Sequence, residues 1–206
     1  MEANKFFFPV STRCVLSAPS GGGKTVFMKK VIDNCKVLFS ESPKRIIYTY
    51  KYPQPWFQNY LGCVEFTNEV PTDLNGTYHS LLILDDLMCD RHALDEAVSL
   101  FVRGSHHLNC SVFFLTQNLF ASSPHFRTIS LNATHFVLFK TIRGFHQIEN
   151  IGRQIFGSSS KEFVNAYKDA TREPYSYLML DLTPEQNYRL RTKIFPNEEE
   201  IVYVIE

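Results

Sequence analysis

The sequence predicts a mixed α/β domain in which helices flank a mostly parallel sheet, and three observations predict it. Short apolar runs alternate with segments of helical periodicity along the chain. The run Leu81-Leu82-Ile83-Leu84 is apolar without interruption, as a parallel strand covered on both faces requires. A glycine-rich turn, Ser20-Gly21-Gly22-Gly23, stands between a strand-like run and a helical one. Strands alternating with helices pair in parallel through right-handed crossovers. The 206 residues suit one domain, 1–206, with a sizeable core. No repeat, low-complexity tract or linker divides them.

The elements follow in order. Cys14 to Ser17 reads as a buried strand, and Val26, Phe27, Val31, Ile32 and Cys35 give helical spacing from Lys24 to about Leu38. Arg45 to Tyr50, β-branched and aromatic, is the second strand, and Pro53 and Pro55 open a connection after it. Leu81 to Asp86 is the next strand, Leu94 to Val102 a helix, and Ser111 to Gln117 and His135 to Lys140 two further strands. Gln147 to Phe156 and Lys161 to Lys168 read as helices, and Tyr175 to Leu182 and Arg189 to Phe195 as terminal strands. Within 196–206, the run Ile201 to Ile205 is either an edge strand or an arm onto a neighbour.

Composition narrows the function. Lys and Arg number 21, balanced by 21 Asp and Glu, so a protein coating nucleic acid over a broad surface is excluded and any contact must be local. Aromatics are plentiful, 18 Phe and 10 Tyr, which suits a packed core and an apolar face for a partner subunit. Five dispersed cysteines, without a Cys-x-x-Cys pair, point to a reducing compartment rather than a disulfide framework or zinc ribbon. The apolar start, ended by Pro9, is too short for a signal peptide, and no run is long enough to span a bilayer. The expectation is a soluble intracellular protein.

Ala18-Pro19-Ser20-Gly21-Gly22-Gly23-Lys24-Thr25 has the chemistry of a phosphate-binding loop between a strand and a helix. Ser20, Gly21, Gly22 and Gly23 let the backbone curl so that N–H groups point at phosphate oxygens, and the helix N-terminus adds partial positive charge. Lys24 would reach the β- and γ-phosphates of ATP, and the Thr25 hydroxyl would ligate Mg2+. Ala18 stands where the motif has its leading glycine, a mild departure because alanine still allows close approach.

Hydrolysis needs a metal carboxylate and a group that positions water. Asp85 and Asp86 close the strongest apolar strand, at the carboxyl end where α/β sheets place ligands. Asp85 would hold the Thr25-bound metal through water, and Asp86 would orient or deprotonate the attacking water. Gln117 ends the next strand, where its amide can bond both that water and the γ-phosphate.

These residues together resemble the packaging ATPases of the HerA–FtsK superfamily, most nearly the small poxvirus-type enzymes of double-stranded DNA viruses and Polinton/Maverick elements. The resemblance rests on Phe8-Pro9, Ala18 to Thr25, Leu84-Asp85-Asp86-Leu87-Met88, Arg103-Gly104-Ser105-His106-His107 and Leu115-Thr116-Gln117-Asn118-Leu119-Phe120. It continues through Arg127 to Asn132, Val137-Leu138-Phe139-Lys140, Pro174 to Leu178 and Arg189 to Thr192. Where such enzymes often follow Leu-Phe-Lys with Asn-Pro-Arg-Asp, this chain has Thr141-Ile142-Arg143-Gly144, keeping the arginine and lacking the acid. The resemblance implies a P-loop NTPase fold, RecA- or HerA–FtsK-like, and a homo-oligomeric ring of five or six subunits. It also implies ATP and Mg2+ as cofactors, double-stranded DNA and capsid or portal-vertex proteins as partners, and no membrane. The expected location is the site of virion assembly, nuclear or cytoplasmic, or the virion itself.

Ring ATPases complete each site with a neighbour's arginine. Arg103, just before the Gln117 strand, is the first candidate, with Arg127 second and Arg143 an alternative. His106, His107 and Cys110 have a metal-like spacing but lack the partners of a four-ligand site, so they read as turn residues. Arg189, Arg191 and Lys193 alternate onto one strand face, and a solvated edge is the favoured reading over a DNA channel. Lys29, Lys30 and Lys51 are further possible DNA contacts that nothing in the sequence singles out. Competing readings are a related DNA pump for segregation or transfer, a small nucleoside or nucleotide kinase, and a non-hydrolysing ATP-binding capsid protein. A kinase would need an arginine-rich lid and an acceptor pocket, whereas the paired acids and Gln117 suit water attack.

Overall fold

The computed structural model describes residues 6–58, 60, 62–87, 90–104, 107–119, 123–184 and 189–205. One nine-stranded sheet runs through them in the order β3-β2-β4-β5-β1-β6-β7-β8-β9. The strands are β1 (Arg13–Ser17), β2 (Arg45–Tyr50), β3 (Val64–Thr67), β4 (Ser80–Asp85), β5 (Cys110–Thr116) and β6 (His135–Phe139). All of these pair in parallel. After them β7 (Tyr177–Asp181), β8 (Leu190–Thr192) and β9 (Ile201–Tyr203) continue the sheet antiparallel.

The uninterrupted apolar run of β4 is buried residue by residue. Its side chains alternate between two cores, Leu81 and Ile83 on one face and Leu82 and Leu84 on the other. The first core is covered by α1 (Lys24–Asp33) and the short α2 (Cys35–Leu38), with Phe6, Phe8 and Phe195 packed in. The second is covered by α3 (Arg91–Ser99), α4 (Pro124–Asn132), α5 (Phe145–Phe156) and α6 (Ser160–Ala170). A sheet buried on both faces needs apolar runs rather than polar–apolar alternation, and that is why its central strands were legible.

The structure departs from the sequence expectations at identifiable residues. The helix expected from Lys24 to Leu38 breaks at Asn34, whose side-chain amide donates to the Lys30 carbonyl at 2.8 Å and competes with the backbone ladder. The helix expected over Leu94 to Val102 starts earlier, at Arg91, because Asp90 caps it by accepting from the Ala93 amide at 3.1 Å. It then loosens into a π turn, Leu100–Gly104. Helix α4 was not expected; Ser123 caps it and Pro124 occupies its first turn. Strand β3, four partly exposed residues at the sheet edge, lies outside the strands the sequence predicts.

The C-terminal strands differ most. Tyr175 lies outside β7, with a left-handed φ of 61°, and Lys193 ends β8 with a φ of 57°. The solvated face expected for Arg189, Arg191 and Lys193 does not form. Arg191 is buried, donates from Nη1 to the Glu200 carboxylate at 2.6 Å, and lies 5.6 Å from the centre of the Phe6 ring. Arg189 donates to the carbonyls of Asp181 and Thr183 instead of facing a channel. Among the described residues, no helix is long and apolar enough to cross a membrane. The four described cysteines are free thiols.

Candidate nucleotide site

A cleft of about 440 Å³ opens along the carboxyl edge of the parallel strands. The register brings its parts together. Ser17 of β1 faces Thr116 of β5, and Asp85 of β4 faces Leu115, so the loop after β1, the acids after β4 and Gln117 after β5 share one rim. Ser20, Gly21, Gly22, Gly23, Lys24, Thr25, Asp85, Asp86 and Gln117 all line it.

The loop has the curled backbone its glycines suggest. Gly21 and Gly23 take φ values of 72° and 111°. At Gly23 a side chain is doubly excluded, since a Cβ would lie 3.0 Å from the Phe139 ring and 3.3 Å from that of Tyr175. The Gly22 amide bonds the Pro19 carbonyl at 2.9 Å, and the Ala18 amide joins the loop to β5 through the Thr116 carbonyl at 3.2 Å. Ala18 itself is buried, so its methyl packs inward rather than into the cleft. Lys24 folds back over the loop, donating to the carbonyls of Ala18 at 2.8 Å and Pro19 at 3.4 Å. Burial pulls its pKa below the ordinary lysine value, and the carboxylates of Asp85 and Asp86 partly offset that.

Asp85 is the most constrained of the acids. Its Oδ2 accepts from the Tyr48 hydroxyl at 2.7 Å and from the Gln54 side-chain amide at 3.0 Å. Burial raises its pKa, opposed by the Tyr48 hydrogen bond and the Lys24 charge and aided by neighbouring Asp86. Gln54 is held in turn. Its Oε1 accepts from the Trp56 indole at 2.8 Å and from the Thr25 hydroxyl at 3.4 Å, which leaves its NH2 group for Asp85. One amide therefore spans Thr25 and Asp85, the two groups expected to serve a metal. Asp86, the next residue, is exposed and left-handed, with φ 58°, which turns the chain away from the strand.

The donor set around this point is hydroxyl and carboxylate oxygen, which fits Mg2+. That ion keeps several waters and needs only one or two carboxylates beside substrate phosphates. Among the described residues, no group of three or more His, Cys, Asp or Glu could hold a metal by itself.

Gln117 is exposed at the cleft wall, and the turn beyond it is braced. Thr116 Oγ1 donates to the Asn118 carbonyl at 2.9 Å, while Gln147 of α5 accepts from the Leu119 amide at 3.0 Å and donates to Asn118 Oδ1 at 2.5 Å. Arg103 and Arg127 are exposed and do not line this cleft. Arg103 lies in the π turn two residues after Phe101, whose carbonyl accepts from Arg13 at the amino edge of β1, so it lies toward the other end of the sheet. Arg127 sits on α4, and Arg143 is exposed in the loop after β6. His106, Met88 and Phe120, parts of the quoted stretches, lie outside the described residues.

Sequence reasoning missed Tyr48, Gln54, Trp56, Gln147 and Tyr175. Tyr48 left one signal, a hydroxyl in an apolar strand that must find a partner when buried. Gln54, between Pro53 and Pro55, left another, a polar side chain on a stiffened segment.

No protein-family model and no curated protein matches the sequence. Solved structures do. The genome packaging NTPase B204 from Sulfolobus turreted icosahedral virus 2, in complex with ATPγS, superposes with a TM-score of 0.53 at 14% identity, covering 95% of this chain and 99% of that one. The same protein in complex with AMPPCP gives 0.50 at 13% identity, covering 95% and 98%. At this identity the likeness concerns architecture: the chain has the mostly parallel α/β fold of a P-loop NTPase.

Proposed function

We propose that the chain is an ATP hydrolase that drives double-stranded DNA into a preformed capsid, working as a homo-oligomeric ring of five or six subunits at the site of virion assembly. The observation that carries this reading is the convergence of the glycine loop, Asp85, Asp86 and Gln117 on one cleft. The fold shared with a packaging NTPase along nearly its whole length supports it, as do the stretches that resemble poxvirus-type and Polinton/Maverick enzymes.

The residues divide the work. Amides of Ser20, Gly21, Gly23 and Lys24 bind the phosphates while that of Gly22 stays bonded to the Pro19 carbonyl, and the Lys24 ammonium exchanges the Ala18 and Pro19 carbonyls for β- and γ-phosphate oxygens. Thr25, and Asp85 through water, would hold the metal ion, which when bound would neutralise charge on the phosphates. Asp86 takes a proton from water as that water attacks the γ-phosphorus and the bond to the β,γ-bridging oxygen breaks, releasing ADP and phosphate. Gln117 orients the water. Arg103, with Arg127, completes a neighbour's site, which agrees with both lying outside their own cleft.

The test is ATP turnover with and without duplex DNA, alongside the solution mass. Hydrolysis by an oligomer, stimulated by DNA of any sequence and lost by about a hundredfold or more in Lys24→Ala, is expected. A monomer that moves phosphate to a nucleoside acceptor and ignores DNA would overturn the reading in favour of a kinase. Binding without turnover, unchanged by Asp86→Asn, would favour a structural nucleotide site.

A further inference from the structure

The proposed reading fixes which end of the cleft takes the γ-phosphate. Asp85 ends β4 and Gln117 follows β5, both on one side of the loop that follows β1. A nucleotide whose γ-phosphate meets those residues must leave the loop on the opposite side, toward β6 and β7. The residue lining the cleft there is Tyr175, two residues before β7, together with Val26 on the first turn of α1.

Tyr175 is unusual on three counts. It is 64% exposed although aromatic, and Val26 beside the same cleft is 52% exposed. Its ring edge meets Gly23, where a Cβ would stand 3.3 Å from Cδ1, so it rests on the phosphate loop itself. Its backbone is strained. The turn Glu173–Ser176 closes with the Ser176 amide on the Glu173 carbonyl at 3.3 Å, Pro174 is second, and Tyr175 is third with φ 61°. That pattern is the one in which a type II turn takes glycine or asparagine at the third position. A bulky side chain is held there against its preference, and it buries little surface in return. Strain kept at a ligand cleft without a packing gain points to use of the side chain by the ligand.

We propose that Tyr175 is the shelf on which the nucleotide's base stacks, with Val26 forming the adjoining apolar wall. The inference rests on the nucleotide reading above and adds the base subsite to it. Stacking uses a π-face that every base has, so this shelf fixes the base without distinguishing purines by hydrogen bonds. Tyr52, 69% exposed, also lines the cleft, but it follows β2, beyond the acids, at the γ-phosphate end.

Calorimetric titration with Mg2+ and ATP, GTP or inorganic triphosphate tests this on the whole chain and four variants. Tyr175→Gly should weaken ATP and GTP alike by about five- to a hundredfold and leave triphosphate affinity unchanged. Because glycine relieves the turn, its melting temperature should equal or exceed that of the parent, which separates lost stacking from lost folding. Tyr175→Phe, which keeps the ring, should restore nucleotide affinity. ATP affinity unchanged in Tyr175→Gly overturns the proposal, as does a base-selective loss in Tyr52→Ala instead. Lys24→Ala should lose triphosphate and ATP together; if the parent chain binds neither, the nucleotide reading fails and the base shelf with it.

Discussion

At the scale of single residues, Asp85 shows how the fold prepares a carboxylate. It closes an apolar strand, so its charge is drawn out of water, and Tyr48 and Gln54 return only part of that solvation. Its pKa is therefore higher in the folded chain than the value near 3.9 usual for an unfolded aspartate. A raised carboxylate pKa means that stability falls as pH rises from the unfolded value through the folded one. Asp85→Asn keeps an acceptor for both partners and removes the charge. It should raise the melting temperature at pH values above the folded pKa of Asp85. The gain should disappear as pH drops through that pKa, and thermal scans from pH 3 to 8 would check it. Asp85 was legible in the sequence because four apolar residues lead directly into it. Gln54 was not, because its partners Thr25 and Asp85 lie 29 and 31 residues away and only the assembled sheet joins them.

At the scale of elements, the glycine loop and the C-terminal strands show the two ways local sequence can be read. The loop is nearly self-explanatory, and Gly23 carries a sharp consequence. Gly23→Ala combines a φ of 111° with a Cβ 3.0 Å from the Phe139 ring, and should cost about 1–3 kcal/mol in urea unfolding. The alternating Arg189, Arg191 and Lys193 misled, because period-two spacing identifies a shared face without saying what covers it. What covers Arg191 is Glu200, on the segment that leads into β9, together with Phe6. The Arg191 side chain is 3% exposed and that of Glu200 22%, so Glu200→Gln leaves a buried guanidinium without its counter-charge. A loss of about 1–3 kcal/mol is expected, seen as a lower denaturant midpoint at unchanged m-value. Helix α4 and the break at Asn34 depend on capping bonds, which periodicity does not register.

At the scale of the whole molecule, the strand order explains why the phosphate loop, the acids and Gln117 could be combined from sequence alone. They follow β1, β4 and β5, which are adjacent in the sheet, and parallel strands present their carboxyl ends to one edge. The order itself, with β1 between β5 and β6, was not legible, since the lengths of the connections do not state which strand a returning chain will join. The exposed arginines belong to this scale too. Arg103 and Arg127 have no place in their own cleft, so their proposed work requires a second chain. Arg103→Ala and Lys24→Ala subunits, each inactive alone, should recover part of the hydrolysis when mixed, because some interfaces then hold an intact loop and an intact arginine. No recovery across a range of mixing ratios would remove Arg103 from the trans role.

The single tryptophan of the chain has a use beyond packing. The Trp56 indole is bonded to Gln54, which reaches both Thr25 and Asp85, and the Lys29 ammonium stands 5.3 Å from the centre of its ring. Indole emission responds to the polarity and hydrogen bonding around the ring. Whatever draws Thr25 or Asp85 away from Gln54 alters the field at a lone fluorophore, so the protein carries its own optical gauge of the phosphate end, readable in stopped flow without a label.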